Sequence, residues 1–374
     1  MKRNYQICNR CIMDTSDLDI TFDEKGICNY CLFYDQVLKN QLRNNEEGQK
    51  ELKDFIEKVK EEGKNKEYDC IIGVSGGVDS STTAYLVKKM GLRPLAVHLD
   101  NGWDTELAVS NIEKLLKKLD IDLYTWVLDW EEFKDLQLSF LKASVANCEI
   151  PTDHAINAVL CKIALEKKIP YIIKGGNIAT ESILPASWGY NARDLKHLIA
   201  VHKKFGKVPL KKFPTFSPWK LAWHLLRKNL VYFPILNYVN YNKQEAKAFL
   251  EKEFGWRDYG GKHYESIYTR FFQGYYLPRK FGFDKRMAHL SSLILNGQMS
   301  REEALKEMEK HPYPDTKLAL EDRDYIIKKF GLTEKEFQNI MNSPPKSYKA
   351  YPNDEFFIKH FSSLYRVLKM LLVK

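Results

Sequence analysis

The sequence predicts an α/β protein with a parallel, doubly wound sheet, a small N-terminal four-cysteine zinc module and a helical C-terminal region. Short β-branched segments alternate with helical segments between residues 69 and 174, and two Cys-x-x-Cys pairs stand near the N-terminus. Helix-capping patterns mark the C-terminal third. We expect four parts: the zinc module at residues 1–35, a linker helix at 36–66, the α/β domain at 67–231 and the helical domain at 232–374.

The composition is that of an ordinary globular protein, with 374 residues of which 44% are hydrophobic. No charge-free apolar run approaches the ~20 residues that a membrane-spanning helix needs. The first six residues, Met-Lys-Arg-Asn-Tyr-Gln, lack the apolar segment of a signal peptide. We therefore expect a cytoplasmic protein.

Four of the seven cysteines form two pairs with the spacing of a structural zinc site. The predicted ligands are Cys8, Cys11, Cys28 and Cys31. A closed set of four thiolates leaves no open position for water, so the metal is expected to stabilise a segment too small to fold alone. Thr21–Gly26, between the pairs, is predicted to be a hairpin tip. Chance pairing and a redox dithiol are the alternatives.

A glycine turn follows the first predicted strand, which contains Ile71, Ile72 and Val74. The chain breaks at Gly76 and Gly77 and then takes a helical spacing of apolar residues. Such a turn directs the N–H groups of a helix N-terminus at an anion, and phosphate is the expected one. The residues expected to surround it are Ser75, Gly76, Gly77, Val78, Asp79, Ser80 and Ser81. The carboxylate of Asp79 cannot bind phosphate directly, which suggests Mg²⁺ or a positioned water.

Two common nucleotide motifs are absent from this turn. No lysine follows the glycines as in a Walker A loop, and the Gly-x-Gly-x-x-Gly dinucleotide spacing is missing. A GTPase or a dehydrogenase is therefore not expected.

Three further strands are predicted at Pro94–Leu99, Leu123–Leu128 and Pro170–Lys174. Ligands of parallel sheets bind at the carboxyl ends of the strands, so loops there are expected to enclose a nucleotide. The residues predicted to do so are His98, Asp100, Lys174, Gly175 and Gly176. For the side chain of His98, an ordinary strand histidine is the favoured interpretation.

A basic segment spans residues 193–228, with ten Lys or Arg residues against a single acid, Asp194. An RNA, an acidic protein surface or a nucleotide sugar would each fit it, and so would a solvated basic face. The preceding loop, Ile178–Tyr190, carries aromatic and hydroxyl groups and is a plausible sugar platform.

Cys148 and Cys161 are weaker candidates for thiol chemistry. Cys161 falls in an apolar helical pattern, where a cysteine is usually a small core residue. Cys148 stands in a predicted loop, but no Cys-x-x-Cys pair accompanies it.

Capping boxes are predicted at Ser300–Glu303 and Thr333–Glu336, with Gly331 ending the helix before the second. A last helix is predicted at Phe356–Val373, either for core packing or as a partner interface.

The Ser75–Ser80 loop, Ser-Gly-Gly-Val-Asp-Ser, resembles the pyrophosphate loop of the ATP pyrophosphatase (PP-loop) superfamily. The resemblance implies a fold of the adenine nucleotide alpha hydrolase-like type. It also implies cleavage of ATP between the α and β phosphates, with adenylation of a carbonyl or amide oxygen.

Three C-terminal stretches narrow the resemblance: 261–270, 277–286 and 289–305. Together with the zinc pairs and the loop, they are similar to the N-acetyl sugar amidotransferases of the WbpG/PseA type. That family implies ATP-dependent conversion of an acetamido group of a sugar, nucleotide-linked in our interpretation, to an acetamidino group. The setting implied is bacterial surface-polysaccharide biosynthesis, of O-antigen or pseudaminic/legionaminic acid type.

The resemblance also implies cofactors, roles and partners. The cofactors are ATP, Mg²⁺ and structural zinc. Asp79 is the candidate for positioning a metal or water, and Lys280, Lys285 and Arg286 are candidates for clamping phosphate. Ammonia is expected from a separate glutaminase subunit and a cyclase-like barrel subunit, for which the last helix is a candidate docking site.

Two other functions remain open from the sequence. One is a PP-loop tRNA-modifying enzyme, a thiolase or an amidase, with RNA bound by the zinc module and the basic segment. The other is a zinc-dependent nucleic-acid-binding protein with a vestigial nucleotide site.

Overall fold

The computed structural model describes residues 4–261, 264–313 and 315–361. A five-stranded parallel sheet has the order β3-β2-β1-β4-β5. The strands are β1 Cys70–Gly73, β2 Pro94–Asp100, β3 Leu123–Val127, β4 Tyr171–Lys174 and β5 Val231–Pro234. The four predicted strands are confirmed. The edge strand β5 was not predicted because it is short and ends in proline, which a sheet edge tolerates.

The helices of the described residues follow in chain order. The α-helices are α1 Asn29–Phe33, α2 Glu46–Gly63, α3 Val78–Lys89, α4 Glu106–Leu119, α5 Trp130–Ala143, α6 Ile150–Glu166, α7 Ile178–Glu181, α8 Leu195–Phe205, α9 Pro218–Leu226, α10 Lys243–Phe254, α11 Ile267–Phe271, α12 Leu277–Phe281, α13 Arg286–Leu295, α14 Arg301–Glu309, α15 Thr316–Phe330 and α16 Glu334–Asn342. Short 3-10 or π turns occupy Tyr34–Leu38, Lys39–Gln41, Ile235–Asn237, Phe272–Tyr276 and Tyr348–Ala350. One more helix begins at 355 and reaches the end of the described residues at 361.

The two faces of the sheet are covered by different helices because neighbouring strand residues point to opposite sides. Ile72 and Ile173 pack with residues of α2, α3, α4 and α10. Ile71 and Ile172 pack with residues of α6 and α9. This arrangement is the predicted doubly wound sheet.

The predicted linker is not one helix. Residues 34–41 form π and 3-10 turns, and α2 begins after the N-cap Asn45. Leu52, Ile56 and Val59 of α2 are buried against the sheet. The helix is therefore part of the α/β layer and not a spacer.

The largest hydrophobic core crosses the predicted domain boundaries. It contains the four N-terminal cysteines, Phe133 and Phe140 of α5, and aromatic residues of the 268–283 region. Strand β5 also straddles the expected boundary between residues 231 and 232. The N-terminal cysteine segment and the helical region thus share one core with part of the α/β layer.

Both predicted capping boxes are present, at Ser300–Glu303 and Thr333–Glu336. Gly331 ends α15 in the left-handed conformation, with φ of +69°. The last predicted helix lies outside the described residues from 362 onward. Among the residues that the structure describes, no helix combines the length and apolar character needed to cross a bilayer.

Candidate active site

The glycine turn after β1 is fixed by its surroundings. Gly76 has a φ of +80°, and a Cβ added there would lie 2.6 Å from the carbonyl oxygen of Ala108. Both facts require glycine. The carbonyl of Gly76 also accepts a 2.8 Å hydrogen bond from Nε1 of Trp256. The C-terminal part of the chain therefore holds the turn in place.

Hydroxyl groups organise the loop internally. The backbone N–H of Ser75 donates to Oγ of Ser80 at 3.3 Å, and that hydroxyl donates to the carbonyl of Gly77 at 3.0 Å. Gly77 is the N-cap of α3 and supplies no capping side chain. The start of α3 therefore presents backbone N–H groups and the positive end of its dipole to an anion.

The loop opens into a pocket of about 210 Å³, here called the loop pocket. Its walls come from the ends of β1 and β4, from the start of α10 and from the segment before α11. The lining residues are Ser75, Gly77, Val78, Asp79, Ser80, Gly175, Gly176, Glu181, Lys243, Lys247, Tyr259, Gly261 and Glu265. Most loop residues predicted from the sequence thus meet in one place. Ser81 is only 1% exposed and does not line the pocket.

Asp79 is positioned by a tyrosine that the sequence did not single out. The hydroxyl of Tyr241 donates a hydrogen bond to Oδ1 of Asp79. Burial raises the pKa of Tyr241, and the Asp79 charge raises it further, so the phenol remains a donor. The Asp79 carboxylate is therefore held at the mouth of the loop.

Charged side chains from distant segments complete the loop pocket. Glu181 follows β4, Glu265 precedes α11, and Lys243 and Lys247 lie one turn apart on α10. Ser75 Oγ lies 3.5 Å from Oε1 of Glu265, and Lys247 pairs with Asp258 at 2.5 Å. Of these four charged residues, only the two lysines have a sequence pattern that indicates a shared helix face, namely their four-residue spacing.

His98 is built into the sheet and does not line the loop pocket. Its Nδ1 lies 2.9 Å from the carbonyl of Val74, and its Nε2 lies 3.1 Å from Asp104. Burial alone would lower the pKa of His98, but the Asp104 hydrogen bond and charge outweigh it and leave the pKa raised. Asp100 accepts a 2.8 Å bond from the backbone of Gly102. The geometry supports the structural interpretation of the His98 side chain.

Lys174 also does not line the pocket that Gly175 and Gly176 line. Its Nζ lies 5.2 Å from the ring centroid of Tyr232, beside Arg193. Burial, followed by the Arg193 charge, lowers the pKa of Lys174 to about 8.

The structure does not bring the three predicted phosphate-clamping cations to the loop pocket. The ammonium of Lys280 is buried and donates to backbone carbonyls at the end of α16, those of Ile340 and Ser343 among them. Lys285 lies 3.6 Å from Glu149. Lys280 therefore acts as a helix C-cap here, because a cation neutralises the negative end of a helix.

Arg286 lines a second, larger cavity of about 670 Å³, here called the polar cavity. This cavity shares Lys243, Lys247 and Gly261 with the loop pocket, so the two spaces adjoin. Arg286 is held by Asp284 at 2.7 Å and by the carbonyls of Glu307 and Lys310. The structure therefore places Arg286 in the polar cavity and not in the loop pocket, and its role in clamping phosphate stays a prediction.

The 178–190 loop does not present an open aromatic platform. The ring of Trp188 stacks on Phe283 at 4.2 Å, and the ring of Tyr190 stacks on Tyr348 at 4.0 Å. These contacts cover aromatic ring faces on which a sugar ring would have to stack. Trp188 and Tyr190 line another cavity, which shares no lining residue with the loop pocket.

The four N-terminal cysteines converge as predicted. Their sulfur atoms lie within 4.8 Å of one another, and all four side chains are buried. Backbone N–H groups of Arg10, Met13 and Cys28 point at these sulfurs from 3.3 to 3.4 Å. Such N–H···S contacts stabilise thiolates, so the set fits a metal ion.

The other candidate thiols are core residues. Burial raises the pKa of Cys148 to about 12, and Cys161 lies 2.9 Å from the hydroxyl of Tyr232 inside the sheet packing. The basic segment forms α8, α9 and their connection, and it contributes no residue to the loop pocket.

Known proteins match this chain in two separate regions. Residues 49–146 match the NAD synthase family model, and residues 265–365 match the model for the C-terminal domain of LPS biosynthesis protein WbpG-like proteins. The first region holds the pyrophosphate loop. The second begins at Glu265, in the wall of the loop pocket.

Individual relatives are more distant. An uncharacterised protein of Methanocaldococcus jannaschii is 25% identical over 82% of this chain and 94% of its own length. A probable mitochondrial tRNA-specific 2-thiouridylase of Caenorhabditis elegans is 30% identical over 49% of this chain and 50% of its own. Among solved structures, the NH3-dependent NAD synthetase of Campylobacter jejuni aligns with 15% identity and a TM-score of 0.28, over 55% of this chain and 93% of that one.

One chain therefore contains a parallel sheet with the pyrophosphate loop above it, followed by the WbpG-like C-terminal region. Both matches support a PP-loop ATP pyrophosphatase of the WbpG type.

Proposed function

We propose that this protein is an ATP-dependent, AMP-forming amidotransferase that converts an acetamido group of a sugar to an acetamidino group. One observation carries the proposal: the WbpG-like region supplies both Glu265 to the loop pocket and most of the wall of the adjoining polar cavity. A nucleotide site and an acceptor space that adjoin at Lys243 and Lys247 suit transfer of an adenylyl group between two bound substrates.

The reaction itself explains why ATP is needed. An amide carbonyl is a poor electrophile, so ammonia cannot displace its oxygen unaided. The amide oxygen attacks the α-phosphorus of ATP, pyrophosphate leaves, and loss of the amide N–H proton gives an O-adenylyl imidate. Ammonia then adds to the imidate carbon, the C–O bond breaks, AMP departs and a proton is lost to leave the amidine.

The residues of the loop pocket suit the first step. The N–H groups at the start of α3 and the hydroxyls of Ser75 and Ser80 would hold the leaving pyrophosphate. Lys243 lies where the two spaces join, so it would face the α-phosphate. Lys247 lies one turn further along α10 and is paired with Asp258. Asp79, Glu181 and Glu265 are oxygen donors that suit Mg²⁺, which would supply charge neutralisation to the phosphates.

For the cysteine set we propose a single structural zinc ion. Three sulfur pairs are separated by 3.6 to 3.8 Å. Four sulfurs at about 2.3 Å from one central ion would be about 3.8 Å apart in a tetrahedron. An iron–sulfur cluster would hold its cysteines further apart, because several metal and sulfide atoms lie between them.

The nitrogen source is also part of the proposal. Ammonia would come from a separate glutaminase subunit with a cyclase-like barrel subunit, as the family resemblance implies. A location in the cytoplasm would suit these partners and the nucleotide substrate.

A tRNA-modifying PP-loop enzyme is the second candidate. The 30% identity to the probable tRNA-specific 2-thiouridylase favours it, and the basic segment would provide the RNA contacts. Against it, all three thiols of the α/β domain, Cys70, Cys148 and Cys161, are buried and their pKa values are raised.

Mass spectrometry separates the two candidates. The protein is incubated with ATP, Mg²⁺, ammonium and a panel of free and nucleotide-linked acetamido sugars. Release of AMP together with a sugar lighter by about one mass unit, the exchange of C=O for C=NH, is the expected result. AMP formation that requires tRNA, with every sugar unchanged, would favour RNA modification instead.

A further inference from the structure

The polar cavity has a composition that identifies which part of a sugar substrate enters it. The inference rests on the proposed function. The acetamido oxygen must approach the α-phosphorus to about 3–3.5 Å before it reacts. The reactive end of the acceptor therefore lies where the polar cavity meets the loop pocket, at Lys243, Lys247 and Gly261.

Three of the Lys and Arg residues that line the polar cavity are already paired with carboxylates. Lys247 lies 2.5 Å from Asp258, Arg286 lies 2.7 Å from Asp284, and Lys310 lies 2.6 Å from Glu307. A fourth, Lys243, stands at the side shared with the loop pocket, where the phosphates of ATP bind. A diphosphate normally takes cations that are not committed to acids. Among the residues that the structure describes, the polar cavity therefore offers little charge to a nucleotide diphosphate.

The same cavity suits the hydroxyl groups of a sugar ring. Asp284 and Arg286 form a fixed pair of acceptors and donors, because two backbone carbonyls also hold the guanidinium. Amide side chains of Gln244 and Gln273 line the space, and the apolar Leu293 provides a surface for C–H groups. Polar groups fixed before binding cost little entropy when a ligand arrives.

We propose that the polar cavity binds the pyranose ring of the acetamido sugar, and that any nucleotide attached to that sugar stays outside the cavity and adds little affinity. The ring lies between the Asp284–Arg286 pair and α10, with its acetamido group directed at Lys243 and Lys247. The ring and its acylamino groups therefore determine which class of sugar the protein accepts.

A bulky substitution on the exposed face of α10 tests the location. Gln244 is exposed and lines the cavity, so Gln244→Trp would fill space without disturbing the core. Glu251→Trp is the matched control, because Glu251 is exposed on the same helix and does not line the cavity. We expect Gln244→Trp to raise the Kd of the acceptor at least tenfold, measured by calorimetry without ATP, while the Kd of ATP stays unchanged. Equal acceptor binding by the two variants would overturn the proposal.

A comparison of ligands tests the chemistry. N-acetylglucosamine, N-acetylgalactosamine and di-acetamido hexoses are titrated as free sugars and as their UDP-linked forms, with UDP alone as a further probe. We expect free and linked forms of the best ligand to bind within about fivefold of each other, and UDP alone not to bind in the cavity. A linked form whose affinity exceeds that of the free sugar by more than this margin, or no binding by any sugar, would refute the proposal.

The two proposals fail in different ways. If sugars bind and Gln244→Trp blocks them, yet no AMP and no amidine are formed, then the amidotransferase function is wrong and the site stands. If AMP and amidine are formed but Gln244→Trp has no effect on the KM of the sugar, the function stands and the site is wrong.

Discussion

The indole Nε1 of Trp256 donates a 2.8 Å hydrogen bond to the carbonyl oxygen of Gly76. The two residues are 180 positions apart in the sequence, and Trp256 is 2% exposed. The pyrophosphate loop is therefore held by a residue that is distant in the sequence.

Replacing this indole should loosen the loop. Trp256→Phe leaves the Gly76 carbonyl without its donor, and an unpaired buried carbonyl costs about 1 to 3 kcal/mol. We expect a lower free energy of unfolding by denaturant and a KM for ATP raised several-fold. Trp223→Phe is the control, because Trp223 is 53% exposed. An unchanged KM for ATP in Trp256→Phe would show that the loop does not depend on this bond.

Gly76 should not tolerate any side chain. Gly76→Ala places a Cβ 2.6 Å from the Ala108 carbonyl at a φ of +80°. Gly297→Ala has a similar φ of +73° but no atom within 4 Å. The control should lose only the ~1 kcal/mol of left-handed strain, whereas Gly76→Ala should lose more and bind ATP at least tenfold more weakly. Equal losses of stability in the two variants would contradict the steric argument.

Asp79 and Tyr241 should act together on ATP turnover. Asp79→Asn removes the charge that suits a metal or a positioned water, and we expect the rate of AMP formation to fall about a hundredfold or more. Tyr241→Phe removes only the hydrogen bond that orients the carboxylate, so a smaller loss of about tenfold is expected. A double variant no slower than Asp79→Asn alone would confirm that Tyr241 acts through Asp79. Additive losses would argue for separate roles.

The cysteine set should hold one zinc ion per chain. Elemental analysis of the purified protein measures this directly, and Cys28→Ser should lose the metal. Because a closed thiolate site contributes to folding and not to chemistry, the Cys28→Ser variant should unfold at a lower temperature. Cys70→Ser is a buried cysteine control outside the set. Four irons per chain would exclude the mononuclear site.

Lys280 should matter for stability and not for phosphate binding. Lys280→Met leaves the carbonyls at the end of α16 without their donor, so the free energy of unfolding should fall while the KM for ATP stays the same. Burial lowers the pKa of Lys280 to about 8, below the ~10.4 of an unfolded lysine.

This depressed pKa also gives the effect a pH dependence. Between these two values the unfolded chain binds more protons, so the contribution of Lys280 to stability rises with pH. The difference in unfolding free energy between wild type and variant should therefore grow from pH 7 to pH 10. A difference that shrinks over this interval would contradict the depressed pKa. A raised KM for ATP would point back to a role for Lys280 at the phosphates.

The sequence alone determined those features that depend on local patterns. The β-branched segments, the two glycines after β1 and the spacing within each Cys-x-x-Cys pair all reflect interactions within a few residues. Four strands, the cysteine cluster and both capping boxes were predicted for this reason.

Only the tertiary structure decided which distant charges meet. The hydroxyl of Tyr241 donates to Asp79, and the carboxylate of Glu265 lies beside Ser75. Lys243 and Lys247 line both the loop pocket and the polar cavity. Each of these contacts brings together residues that are far apart in the sequence. The same packing buried Lys280 beneath α16 and covered the ring face of Trp188. Whether a lysine or an aromatic ring meets solvent, ligand or a helix end is set by long-range packing, which no local pattern encodes.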